Sequence, residues 1–217
     1  CSNDDEPNVQ TQVVVRAGSK HDPKQSTGLA HYLEHLMFKG TDKLGALDWE
    51  KEKPLLDKIE GLFEEYRKTD DEHLKRAIYA QIDSISYEAS KYAVARERDK
   101  VLEAIGGAGS NAFTSRDFTT YINVIPKNQI ENWVIMNADM FKNPSLRGFH
   151  TELETVYQEY NMYNEQDWDR LFESVMASLF EKHPYGNPIL GFQEHLKNPS
   201  IKDVKAFYKK YYVPNNM

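Results

Sequence analysis

The chain carries one cysteine, Cys1, in 217 residues, so it can form no internal disulfide and its fold does not depend on oxidation. It lacks any run of about 18 apolar residues, which leaves no candidate for a membrane-spanning helix. Basic excess is missing too. Against 27 Lys and Arg stand 34 Asp and Glu, and the net charge of -7 argues against a nucleic-acid partner, which calls for a basic face. Internal repeats and low-complexity segments are absent. What is present, 40% hydrophobic and 28% charged residues, describes a globular chain long enough to bury a substantial core.

The pattern along the chain predicts mixed α and β structure. "NVQTQVVVRAG" (8 to 18) is Val-rich with partial alternation and reads as a strand closed by Gly18. "GLAHYLEHLMFKG" (28 to 40) reads as a helix capped by Ser26 or Thr27 and stopped at Gly40. From 48 to 95, apolar residues recur at three- and four-residue steps, as in Leu55, Ile59, Leu62, Tyr66 and again Leu74, Ile78, Ile82, Ile85. This predicts a helical hairpin, its second helix opened by a capping box of Thr69 and Glu72, with a further helix ending at Gly106 and Gly107.

"GGAGSNAFTSRDFTTYINVIP" changes the period, and Phe118, Thr120, Ile122 and Val124 alternate, predicting two strands with a turn at Ser115 to Asp117. Helices follow over 128 to 141, from a second capping box at Thr151 and Glu154, and over the last segment from Ser200. Long helices with a few strands among them give an α+β architecture.

The chemistry concentrates in His31, Glu34 and His35, in the order H-x-x-E-H. On a helix the two histidines lie one turn apart on one face, so both imidazoles can approach one ion. Zinc accepts neutral imidazole nitrogen, and catalytic zinc sites use three protein ligands and a water. Glu34 stands beside the second histidine, where a general base for that water belongs. The order is that of the inverzincins. Histidines on a helix are also satisfied by plain hydrogen bonds, so a third ligand decides. Glu152 and Glu159, seven residues apart and sharing a helix face, supply candidates, and spacing alone leaves a solvated Glu159 open.

With these segments in hand, the chain resembles the zinc metallopeptidase family of pitrilysin, insulin-degrading enzyme and mitochondrial processing peptidase. "TGLAHYLEHLMFKGT", "NAFTSRDFTTY", "ELETVYQEYNM", "HPYGNPILG" and "YYVPNNM" follow the family's order across nearly the whole chain. The resemblance implies that His31, His35 and Glu159 bind zinc, that Glu34 is the catalytic base, and that Glu152 supports the site. It further implies that Asn111, Ala112 and Phe113 lie on an edge strand pairing with an extended peptide substrate. Tyr121 and His183 are expected to be structural, and His21, His73, His150 and His195 to be surface or loop residues.

The stretch between His35 and Glu159 is longer than the family's usual spacing by about the hairpin at 48 to 95, which is expected to be an insertion within a single N-terminal catalytic domain, residues 1 to 217. The resemblance implies an α+β half-domain whose antiparallel-rich sheet is packed by long helices. It also implies that a C-terminal half or a homologous subunit closes a chamber around the peptide. The expected activity is zinc-dependent endopeptidase chemistry on extended or unfolded peptides. The alternative is a non-catalytic binding subunit of the same fold, a class that usually lacks the metal ligands. Cys1 followed by small polar residues resembles the mature end of a bacterial lipoprotein and points toward periplasm or cell envelope, while a start partway into a longer protein is the simpler reading.

Overall fold

A computed structural model describes residues 6–217, so the lipoprotein-like reading of Cys1 lies outside the described residues. Three strands form an antiparallel sheet in the order β1-β3-β2: β1 (Asn8–Val15), β2 (Ala108–Thr114) and β3 (Thr119–Pro126). The register sets Val13 and Ala112 on either side of Tyr121, and it shifts between Ala108 and Asn111 of β2. β2 is therefore an edge.

The helices are α1 (Leu29–Met37), α2 (Trp49–Tyr66), α3 (Glu72–Ser90), α4 (Glu97–Ala104), α5 (Ile130–Lys142), α6 (Phe149–Asn164), α7 (Asp167–Leu179), α8 (Gln193–Leu196) and α9 (Ile201–Tyr211). α1 is central and touches β2, β3, α6 and α9. Leu29, Leu33, Leu36 and Met37 form its buried stripe, each contributing roughly 1.5–3 kcal/mol by leaving water. Ile59 and Phe63 of α2 and Ile78 and Ile82 of α3 join the same buried cluster as α1, Tyr121, Val156 and Phe207. The hairpin thus packs onto the core that carries α1. Among the described residues, no helix is long and apolar enough to cross a membrane.

Several local expectations need correction. α1 is capped neither by Ser26 nor by Thr27. Its N-cap is Gly28 at φ 83°, and the Asp22 carboxylate accepts from the amides of Gly28 (2.7 Å) and Ala30 (2.9 Å). Thr27 instead accepts from the Phe192 amide and meets the His195 ring. Gly28 lies backbone to backbone against Leu190 and Gly191, so a Cβ there would come within 2.4 Å of the Leu190 carbonyl oxygen. Asp71, not Thr69, caps α3, and Gly148, not Thr151, precedes α6. Ser200 caps α9 as expected, accepting from the Asp203 amide.

In β3 the more deeply buried set is Thr119, Tyr121, Asn123 and Ile125, while Ile122 and Val124 of the alternating set are half-buried. Both faces of this strand carry apolar side chains, so alternation finds the strand without naming its inner face.

Candidate metal centre

α1 turns its apolar stripe inward and leaves His31, Glu34 and His35 on the side facing a cleft of about 580 Å³. α6 runs past this side, fixed by the buried Val156 and by the Tyr32 hydroxyl, which donates to the Phe149 carbonyl. Its seven-residue spacing then brings Glu152 and Glu159 to the same cleft wall.

His31 Nε2, His35 Nε2 and Glu159 Oε2 form a triangle with edges of 3.2, 3.6 and 3.3 Å. A tetrahedral zinc site with bonds of about 2.0–2.1 Å needs donor atoms about 3.3 Å apart. The donor set fits, in spacing and in chemistry. Among the described residues it is the one group of His, Cys, Asp or Glu side chains that meets the geometry of a metal site. His21, His73, His150 and His195 stand outside it.

The carboxylates around the triangle are shifted in opposite directions. Burial pushes the Glu34 carboxyl above its ordinary value, although His31 and the Thr114 hydroxyl, which donates to Oε2 at 2.8 Å, pull against it. Glu159 goes the other way, held well below the usual carboxylate range by its bonds to His31 and His35. Burial acts to raise Glu152 as well, but His35 and Lys39 outweigh it and leave its pKa lowered. Burial would lower the His35 pKa, yet the bonds to Glu152 and Glu159 and the charge of Glu34 carry it up to about 9. One carboxylate is thus kept basic beside two that stay ionised, a division suited to one proton acceptor among fixed anions.

Ser110 through Thr114 line the same cleft as His31, Glu34 and His35, so Asn111, Ala112 and Phe113 share it with the motif. Local sequence pattern does not point to Thr114 or Lys39, whose partners Glu34 and Glu152 lie far from them along the chain. Tyr163 and Glu173 also line the cleft, with Glu173 bonded to Arg116 at 2.8 Å. His150 is a correction: it is buried in the first turn of α6, its ring 4.6 Å from Tyr79.

The sequence matches the family model described as insulinase, peptidase family M16, over residues 1–76 and 82–193. The chain belongs to this family. A zinc protease of Bacillus subtilis (strain 168), itself named as uncharacterized, is 23% identical over 211 residues, covering 96% of the M16 chain and 39% of the relative. A probable mitochondrial-processing peptidase subunit beta of Schizosaccharomyces pombe is 25% identical over 216 residues, covering 97% and 36%.

Among solved structures, a protease from Helicobacter pylori aligns at a TM-score of 0.70 and 23% identity over 97% of the chain and 40% of that structure. Pitrilysin aligns at 0.67 and 23% over 99% and 18%. These alignments establish the α+β half-domain fold. The M16 chain spans under half the length of these relatives, and its family supports a peptidase-type function.

Proposed function

We propose that this M16 chain carries the metal ligands and the general base of a zinc endopeptidase that cuts extended peptides. The observation that carries the reading is the convergence of His31, His35 and Glu159 at zinc-site spacing beside the buried Glu34. Zinc bound there would acidify a water and polarise the scissile carbonyl.

The chain's own residues do the rest. Glu34, its basicity raised by burial and its orientation fixed by Thr114, takes a proton at a carboxylate oxygen and returns it to the leaving amine. Glu152 accepts from His35 Nδ1 at 2.8 Å, which sets the tautomer that leaves Nε2 as the ligand atom. β2 is an edge strand of the sheet among the described residues and lines the cleft, so an extended peptide adds beside it and passes Asn111, Ala112 and Phe113 on its way to Glu34. Phe113, nearly half exposed, is placed to contact substrate side chains.

A non-catalytic binding subunit would use the same edge strand without the ligand triangle, and the intact triangle favours catalysis. A C-terminal half or homologous subunit would close the cleft over the peptide. The test is Glu34→Gln in the whole protein, assayed on an unstructured quenched-fluorescence peptide. Zinc content should be retained and cleavage should fall by about 10²–10⁴-fold. Near-parental cleavage by that variant would remove Glu34 from the mechanism.

A further inference from the structure

We propose that Lys39 is a positioning residue for the metal centre: it holds Glu152, and through Glu152 it holds the His35 ring with Nε2 turned toward His31 and Glu159. The proposal rests on the zinc reading above and extends it to a residue one turn beyond the motif.

The two oxygens of Glu152 are divided between two partners. Oε1 takes His35 Nδ1 at 2.8 Å, and Oε2 takes the Lys39 ammonium. Glu152 is only 8% exposed, so neither oxygen can rely on bulk water. A buried carboxylate that loses one partner is left short of a bond and free to turn away, which loosens its hold on His35. Lys39, four residues after His35, leaves the chain on the same side just past the end of α1.

Its backbone is fixed from both directions. The Lys39 amide donates to the Leu36 carbonyl at 3.1 Å, and its carbonyl accepts from Arg147 Nη1 at 2.8 Å. Arg147 is itself locked to the fully buried Glu52 of α2. A surface lysine on a free loop would gain little from an ion pair. Here one end of the pair is buried and the other is launched from a pinned backbone, so the ammonium is aimed. The hairpin of α2 and α3 therefore reaches the metal centre through Glu52, Arg147, Lys39, Glu152 and His35 in turn.

The test measures zinc affinity by chelator competition and the absorption spectrum of the cobalt-substituted whole protein, with thermal unfolding in chelator as the control for folding. Lys39→Met should weaken zinc about tenfold, in the range that partners of metal-bound histidines control, and shift the cobalt bands. Lys39→Arg should restore affinity to within about threefold. Lys39→Met combined with Glu152→Gln should bind no worse than Glu152→Gln alone, because the two act through one bond. On peptide substrate, kcat should fall while KM holds.

Parental zinc affinity in Lys39→Met, independent effects of the two substitutions, or a raised KM with unchanged zinc would overturn the proposal; the last would make Lys39 a substrate contact. A different result sinks the underlying reading, and Lys39's role with it: parent protein that binds no zinc, or His31→Ala that binds it like the parent.

Discussion

Arg147 reaches from the turn before α6 into the space between α1, α2 and the loop joining them, and removing it exposes how the hairpin is tied to the core. Arg147 is 9% exposed and Glu52, its partner, is 0% exposed. Nη2 donates to Glu52 Oε2 at 2.7 Å and to the Thr41 carbonyl at 3.1 Å, while Nη1 serves Lys39 and Leu44. In Arg147→Met the carboxylate of Glu52 stays buried without its counter-charge and three carbonyls lose a donor.

Breaking a buried pair from one side costs about 3–5 kcal/mol, which for a chain of this size lowers the unfolding midpoint by roughly 10 °C. The double variant Arg147→Met, Glu52→Met removes the orphaned charge and should recover more than half of that loss. Thermal unfolding of the single and double variants reads both numbers. A single-variant loss under about 1 kcal/mol, or a double variant worse than the single, would show that the pair does not join hairpin to core.

Two further outcomes follow from the site's electrostatics and from the cap of α1. The His35 pKa stands at about 9 in the metal-free chain against an ordinary 6.5, so its charge contributes stability that is complete below about pH 6.5 and lost as pH rises toward 9. Zinc needs the neutral ring, so its affinity should climb with pH over the same range, by up to about tenfold per unit. The gap between unfolding midpoints with zinc and with chelator should therefore widen from pH 6 to 9, and a constant gap would contradict the assignment of His35 as a ligand. Asp22→Ala, which strips two amides at the start of α1 of their acceptor, should destabilise the chain by about 1–2 kcal/mol, with Asp22→Asn losing less. Denaturant unfolding that shows no loss would mean that the helix start is held elsewhere.

The parts of this molecule governed by neighbouring residues were legible in its sequence. His31, Glu34 and His35 share one helix, so periodicity alone places them on a common side, and the hairpin and the β2–β3 turn are likewise written in local patterns. Glu159 was different: spacing put it on a face with Glu152 but could not say what the face meets, and the family resemblance supplied that. Cap residues were misassigned where several oxygens compete, as with Thr69 and Asp71, or where the acceptor lies upstream of the expected position, as with Asp22. Lys39, Thr114 and Arg147 gave no signal at all, since each acts on a partner that only the folded chain brings near.

The measurement that bears most directly on the central claim is zinc titration of chelator-stripped whole protein and its single-site variants. One zinc per chain should bind to the parent and to Glu34→Gln, and binding should be lost or weakened by orders of magnitude in His31→Ala, His35→Ala and Glu159→Gln. Parental zinc binding in those three variants, or none in the parent at neutral pH, would contradict a metal centre built from α1 and α6.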